Sequence, residues 1–363
     1  MNKIYGKIIN CKKSFFGSIS FTDKITKINS ETENNEDLII PGFIDPHCHG
    51  AIGADTMQGY EAINKMSLFH LEHGTTSILP STWTSTISHT KNALKNIKSD
   101  NRAGNIFGIH LEGPFINPKK LGAQPALSIE PSIEFLDEIL DIADVRTITI
   151  APELNGMESF IKYLDSKKIG IQFGHSLASS ECCTKYMDKY NISFTHLYNA
   201  MSGNDHRNPG VLSAALAYGT YAEIICDKLH VSSEAIKIAK KSINKLYAVT
   251  DSVSVNGLQD GEYKLFNNDI VKKGNTIKLK NNNTLAGSVV TMYDIFINLI
   301  ELGYDLNEAV EMTSSNAAAF LNLDNVGDIK ENYLSNFIVL DKKYKIKDIY
   351  LKGEKVEKKL ISS

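Results

Sequence analysis

The sequence lacks an excess of either charge. Lysine and arginine total 39 against 42 aspartates and glutamates, a formal net charge of −3. That balance excludes a nucleic-acid binder relying on diffuse positive charge, and any anionic ligand must be met by a local cluster of donors. No run approaches the roughly 18–20 uninterrupted apolar residues of a membrane span. The opening stretch, Met1 to Gly17, is broken by charges and has no apolar core before a cleavage site, so a secretory signal is not expected. Cysteine is scarce and odd in number, five, with Cys182 and Cys183 adjacent. This is no disulfide framework, and free thiols in a reducing cytoplasm are expected. What remains is ordinary globular composition, 42% hydrophobic and 22% charged over 363 residues. Such a length builds its own core and needs no disulfide or metal merely to fold.

Both ends read as short alternating strands: KIIN, SISF and KITKI before the polar run SETENNED, and NFIVLD, KIKDIYLKG and EKVEKK near the C-terminus. The two ends are expected to meet in one small β-sandwich domain, residues 1–40 and 329–363. Between them, eight short runs rich in β-branched residues alternate with amphipathic stretches. The strands are expected at Leu38 to Asp45, Thr76 to Leu79, Ile106 to His110, Thr147 to Ala151, Gly170 to Phe173, Ile192 to Thr195, Glu223 to Cys226 and Tyr247 to Thr250. Helices are expected at Tyr60 to Glu72, Ile133 to Ile142, Met157 to Asp165 and Ser232 to Ile243, then Thr291 to Leu302 and Leu306 to Leu321. Gln259 to Asn283 reads as an inserted hairpin. Eight repeats predict a (β/α)8 barrel over residues 41–328. A doubly wound sheet would need a glycine-rich turn after the first strand, and none is present.

In such a barrel, chemistry sits at the C-terminal ends of strands. After the first strand come His47 and His49, whose i, i+2 spacing turns both side chains to one side. Cys48 between them points the other way and is not expected to be a ligand. After the third strand, Glu112 precedes Gly-Pro, which cannot continue a helix or a paired strand. His175 follows the fifth strand and His196 the sixth. Neutral imidazoles and a carboxylate suit zinc, iron or a similar divalent ion. Asp251, after the eighth strand, can ligate a metal, act as general base or do both. His70, His73 and His89 read as surface or packing residues. His110 faces either the core or the mouth. Trp83 is either a pocket wall or a core residue.

With these residues assembled, the sequence resembles the amidohydrolase superfamily, and within it the N-acetylglucosamine-6-phosphate deacetylase family. PGFIDPHCHG, HLEGPF, GHS, THLYNAM, HRNPG, VTDSV, LAGS and TSSNAAAFLNL occur in that family's order. The resemblance implies metal-dependent removal of an N-acetyl group from a sugar phosphate. It implies a main metal site of Glu112, His175 and His196, and an additional one with His47 and His49 that only some members possess. It further implies Asp251 as acid–base, and Gln124, Asn199, Ala200, His206, Arg207 and His230 at the substrate. It also implies a homodimer in which Arg207 and His230 are lent across the interface. Many relatives place a carboxylated lysine after the fourth strand; here that strand ends in Ala151-Pro152-Glu153. The family commonly has glycine where Lys228 stands, and some members have histidine at Gln124. Against the implied reaction stand two other readings. One is a hydrolase of another amide, separated by a substrate panel. The other is a non-catalytic sugar-phosphate sensor, which would bind metal and hydrolyse nothing.

Overall fold

The computed structural model describes residues 1–30, 36–98, 103–266, 268–281 and 284–357. The chain opens with β1 (Asn2–Ile9), β2 (Ser14–Phe21), β3 (Ile25–Ser30) and β4 (Leu38–Pro41). β1 and β2 form an antiparallel hairpin, and β4 runs parallel to β1. The next strand, β5 (Phe43–Cys48), belongs to a different sheet. The single strand predicted from Leu38 to Asp45 is therefore two. Pro41 has no N–H to continue a ladder. At Gly42 a Cβ would overlap the Thr76 side chain, so only glycine lets the chain pass closely from one sheet to the other.

A short hairpin, β6 (Gly50–Ala51) and β7 (Ala54–Asp55), precedes the repeating part. There follow α1 (Tyr60–Glu72), β8 (Thr75–Thr82), α2 (Ile87–Leu94), β9 (Ile109–Glu112), α3 (Ile133–Leu140), β10 (Val145–Ile150), α4 (Met157–Ser166) and β11 (Gly170–Phe173). The alternation ends with α5 (Ser180–Met187), β12 (Ile192–Phe194), α6 (Val211–Tyr218), β13 (Tyr221–Ile224), α7 (Ser233–Ser242) and β14 (Lys245–Ala248). Serine hydroxyls start three of these helices: Ser132, Ser179 and Ser232 each accept from an N–H of the first turn. β9 begins three residues later than predicted. Gly108, at φ 137°, interrupts the run, and Ile106 makes only an isolated bridge to Ile78.

Six of the strands are parallel in the order β12-β11-β10-β9-β8-β5, and β13 pairs with β14. Two backbone hydrogen bonds close the ring. Leu197 N–H donates to Glu223 O at 2.9 Å, and Asp251 N–H donates to His47 O at 2.9 Å. The result is a (β/α)8 barrel whose strand ends share one mouth.

After the barrel strands comes a three-stranded antiparallel sheet, β15 (Gly261–Leu265), β16 (Asn268–Lys273) and β17 (Thr276–Leu279), where a hairpin was predicted. Residues 267, 282 and 283 of that stretch, and most of the SETENNED run, lie outside the described residues. Leu265, Ile270, Ile277 and Leu279 bury this sheet against Trp83, Val253 and Val255. α8 (Met292–Glu301) follows, capped by Thr291. The single helix predicted from Leu306 to Leu321 is α9 (Leu306–Val310), a π turn (Glu311–Ser315) and α10 (Asn316–Phe320). The hydroxyls of the π turn explain the widening. Ser314 donates to Gly42 O and Ser315 to Gly327 O, pulling the backbone out of α register. Ala317, Ala318 and Phe320 then pack on Ile44, Tyr221, Tyr247 and Val249, plugging the barrel at the end opposite that mouth.

The chain returns through β18 (Phe337–Leu340), β19 (Ile346–Leu351) and β20 (Glu354–Lys355) into a seven-stranded sheet, β20-β19-β18-β4-β1-β2-β3. Phe21 on β2 and Phe337 on β18 are separated by two strands in that order. Their rings nevertheless meet at 5.0 Å, so the sheet coils over its own apolar face into a small sandwich.

Candidate active site and metal centre

The mouth of the barrel is built around Glu112, the last residue of β9 and almost wholly buried. Its Oε1 lies 3.0 Å from His175 Nε2 and 3.2 Å from His196 Nε2. The two ring nitrogens are 3.0 Å from each other. Its Oε2 lies 3.0 Å from His49 Nε2, and Oε1 lies 3.5 Å from His47 Nε2. His47 Nε2 and His49 Nε2 are 3.2 Å apart. Asp251 completes the cluster, with Oδ1 3.6 Å from His47 Nε2 and 3.5 Å from His49 Nε2. The Glu112 carboxylate thus joins two three-residue groups, His47–His49–Glu112 and Glu112–His175–His196, all buried.

The outer faces of the rings define what the inner faces offer. His175 Nδ1 donates to Lys120 O at 2.8 Å, and His49 Nδ1 to Ser81 O at 3.1 Å. His47 Nδ1 lies 2.9 Å from Glu223 Oε2. With Nδ1 carrying the proton, each Nε2 presents a lone pair toward Glu112. Lone pairs and an anionic oxygen about 3 Å apart repel unless a positive charge lies between them. The spacing also suits one, since ligands 2.0–2.1 Å from a tetrahedral zinc are about 3.3 Å apart. His196 Nδ1 is buried with no hydrogen-bond partner among the described residues, so among them this ring is engaged only through its other nitrogen. The donor set fits a divalent cation.

The surrounding carboxylates also draw positive charge to this place. Burial opposes charge on His47, but Glu112, Glu223 and Asp251 hold its basicity well above the ordinary imidazole range. Burial likewise opposes charge on Glu112, yet His47, His175 and His196 hold it well below the usual carboxylate range. His110 is the contrast. Burial, reinforced by His47, drives it well below the ordinary value, so it stays neutral. It bridges Ser81 Oγ at 2.9 Å and Thr149 Oγ1 at 2.8 Å, placing it in the core beneath the centre.

Above the cluster is a cavity of about 320 Å³. Trp83, Gln124, Asn199, Ala200, His230, Thr284 and Leu285 line it together with Glu112, His175, His196 and Asp251. Gln124 has a fixed orientation: its Oε1 accepts Thr84 N–H at 2.7 Å and its Nε2 donates to Glu112. Trp83 is both wall and support, stacked on His49 at 3.8 Å. His230 lines its own chain's pocket, held by Asp227 Oδ2 at 2.6 Å from Nδ1. His206 and Arg207 are not brought to this pocket. They are exposed on a loop turned by Asp205, whose Oδ1 accepts Arg207 N–H at 2.8 Å and Asn208 N–H at 2.7 Å.

Lys228 adopts φ 64°, a conformation that favours glycine, and its Nζ pairs with Glu301 at 2.5 Å rather than entering the pocket. Cys48 turns away from the ligands, with Sγ 3.2 Å from His70 Nε2. Sequence reasoning missed two carboxylates: Glu223, behind His47, and Asp45, which accepts the Thr250 hydroxyl at 2.6 Å. Glu223 is the one charged residue of β13, and Asp45 follows the apolar pair Phe43-Ile44 in β5, a signal that a buried charge has a partner.

Comparison with known proteins agrees with this geometry. N-acetylglucosamine-6-phosphate deacetylase of Bacillus subtilis (strain 168) is 35% identical over 303 residues, 79% of this chain and 76% of that protein. N-acetylgalactosamine-6-phosphate deacetylase of Escherichia coli O157:H7 is 30% identical over 340 residues, 90% of this chain and 89% of that one. The crystal structure of N-acetylglucosamine-6-phosphate deacetylase from Thermotoga maritima superposes with a TM-score of 0.91 at 29% identity, covering 98% of this chain and 99% of the other. The model of the amidohydrolase family matches residues 38–359, and the chain belongs to that family.

Proposed function

We propose that this chain removes the N-acetyl group of N-acetylglucosamine 6-phosphate, releasing acetate and glucosamine 6-phosphate, a step in amino-sugar catabolism and recycling. One observation carries the reading. A carboxylate shared by two histidine pairs forms the floor of a sugar-sized pocket beside Asp251, in a chain 35% identical to a deacetylase of that substrate. Glu112, His175 and His196 would hold one divalent cation, and His47, His49 and Glu112 a second. Imidazole and carboxylate donors favour zinc or iron and accept manganese or cobalt. Such an ion supplies Lewis acidity and brings the pKa of water down to about 7.

The chain's own groups do the rest. Gln124, its amide fixed by Thr84, offers an N–H to the acetyl oxygen, where losing one donor costs about 3–4 kcal/mol. Asp251 takes a proton from the attacking water on its carboxylate and returns it to the sugar nitrogen as the amide bond breaks. Asn199, the Ala200 backbone and His230 align the sugar. His206 and Arg207 would reach the phosphate from the other subunit of a homodimer, because neither lines its own pocket. Residues 41–328 would thus carry the site, while 1–40 and 329–363 tie down the ends. The cytoplasm suits five free cysteines and a chain whose described helices include none long and apolar enough to cross a membrane.

Asp251→Asn tests the chemistry. Acetate release is expected to fall about 10²–10⁴-fold with bound metal retained; near-normal turnover would remove Asp251 from its role. Running wild type on the glucosamine and galactosamine epimers, with and without phosphate, assigns the substrate.

A further inference from the structure

Glu223 is fully buried on β13 and does not line the pocket. Every oxygen it carries is committed. Oε2 lies 2.9 Å from His47 Nδ1 and accepts His196 N–H at 3.1 Å. Oε1 accepts Gln172 Nε2 at 2.5 Å. Its carbonyl accepts Leu197 N–H at 2.9 Å. One side chain therefore touches a member of each ligand group. It fixes the ring of His47, and it fixes the backbone of His196, which sits at φ 29°. A carboxylate on the far nitrogen of a ligating imidazole sets the tautomer and ring plane and raises the ring's donor strength.

We infer that Glu223 is the positioning residue that couples the two ligand groups and sets their affinity for metal. The effect is larger at His47 and His49, where it grips a ring, than at His175 and His196, where it holds only backbone. This rests on the metal-binding part of the proposed function, and its test needs no sugar substrate. Trp83 is the only tryptophan and stacks on His49, so its emission reports filling of that group. Metal-free protein would be titrated with zinc alone, following Trp83 emission and bound zinc per chain.

Glu223→Gln keeps the shape and removes the charge. It is expected to need about 10- to 100-fold more zinc to reach the same Trp83 change. The melting temperature of the metal-free variant reports folding separately. A folded Glu223→Gln with a zinc curve superimposed on wild type overturns the inference, even if its melting temperature is lower. Should that variant not fold, Gln172→Met removes one donor from Glu223 and spares every proposed ligand. It is expected to shift the curve the same way by a smaller factor, and an unshifted curve again overturns the inference. Wild type that takes up no zinc overturns the metal reading itself.

Discussion

His175, His196 and Asp251 adopt φ 47°, 29° and 48°, a left-handed conformation that costs non-glycine residues about 1–3 kcal/mol each. Each follows the end of a barrel strand, and each backbone is held by a hydrogen bond from or to a neighbouring strand or loop. Asn117 N–H donates to His175 O, Ser288 N–H donates to Asp251 O, and Glu223 accepts His196 N–H. All three side chains reach the Glu112 cluster or line the pocket above it. Lys228 shares the conformation without the purpose. In Lys228→Gly, relief of about 1–2 kcal/mol is offset by about 0.4–1 kcal/mol of glycine's unfolded-state entropy. An exposed ion pair worth about 0–1 kcal/mol is also lost. Urea denaturation is expected to show a net change within about 1 kcal/mol, and kcat/KM is expected to be unchanged. A raised KM would mean that Lys228 contacts the substrate after all. The six central residues were legible in sequence because i, i+2 alternation and strand-end position need no tertiary information. Their outer partners were not, since His47 meets Glu223 across 176 positions.

Among the elements, the seam between β5 and β14 closes the barrel, and it rests on a buried carboxyl. Burial pushes the Asp45 pKa up to about 7, against the Thr250 hydroxyl and N–H, which hold it down. Thr250→Val keeps the shape and deletes the 2.6 Å hydrogen bond to Asp45 Oδ2. It is expected to destabilise metal-free protein by about 1–3 kcal/mol in urea denaturation. A change indistinguishable from zero would show that the seam is held by its backbone alone. Helix α1 stands at its expected bounds because its apolar spacing is local. The run from Leu38 to Asp45 was not divisible by pattern, because both halves are apolar and fully buried. Only pairing with β1 and β18 on one side of Gly42, and with β8 on the other, separates them.

For the whole molecule, the exposed Arg207 makes a specific demand of a dimer. If each pocket uses the Arg207 of the partner subunit, Arg207→Ala and Asp251→Asn chains mixed and reassembled regain one intact site per mixed dimer. Random pairing is expected to restore about a quarter of wild-type activity. Mixtures no more active than the separate variants would place Arg207 in its own chain's site or in none. The near-neutral charge with which the sequence opens is consistent with this arrangement, since a phosphate met by two residues needs no basic surface. Local pattern alone was enough to expect the barrel, the sandwich from two ends and metal-type donors at the strand ends. These follow from periodicity and from residue types at strand ends. Folding in three dimensions was needed to put one carboxylate between two histidine pairs, to place Glu223 behind both, to bring His230 into its own pocket and to leave Arg207 outside it. Those relations join residues tens to hundreds of positions apart, and distance along the chain carries no record of distance in space.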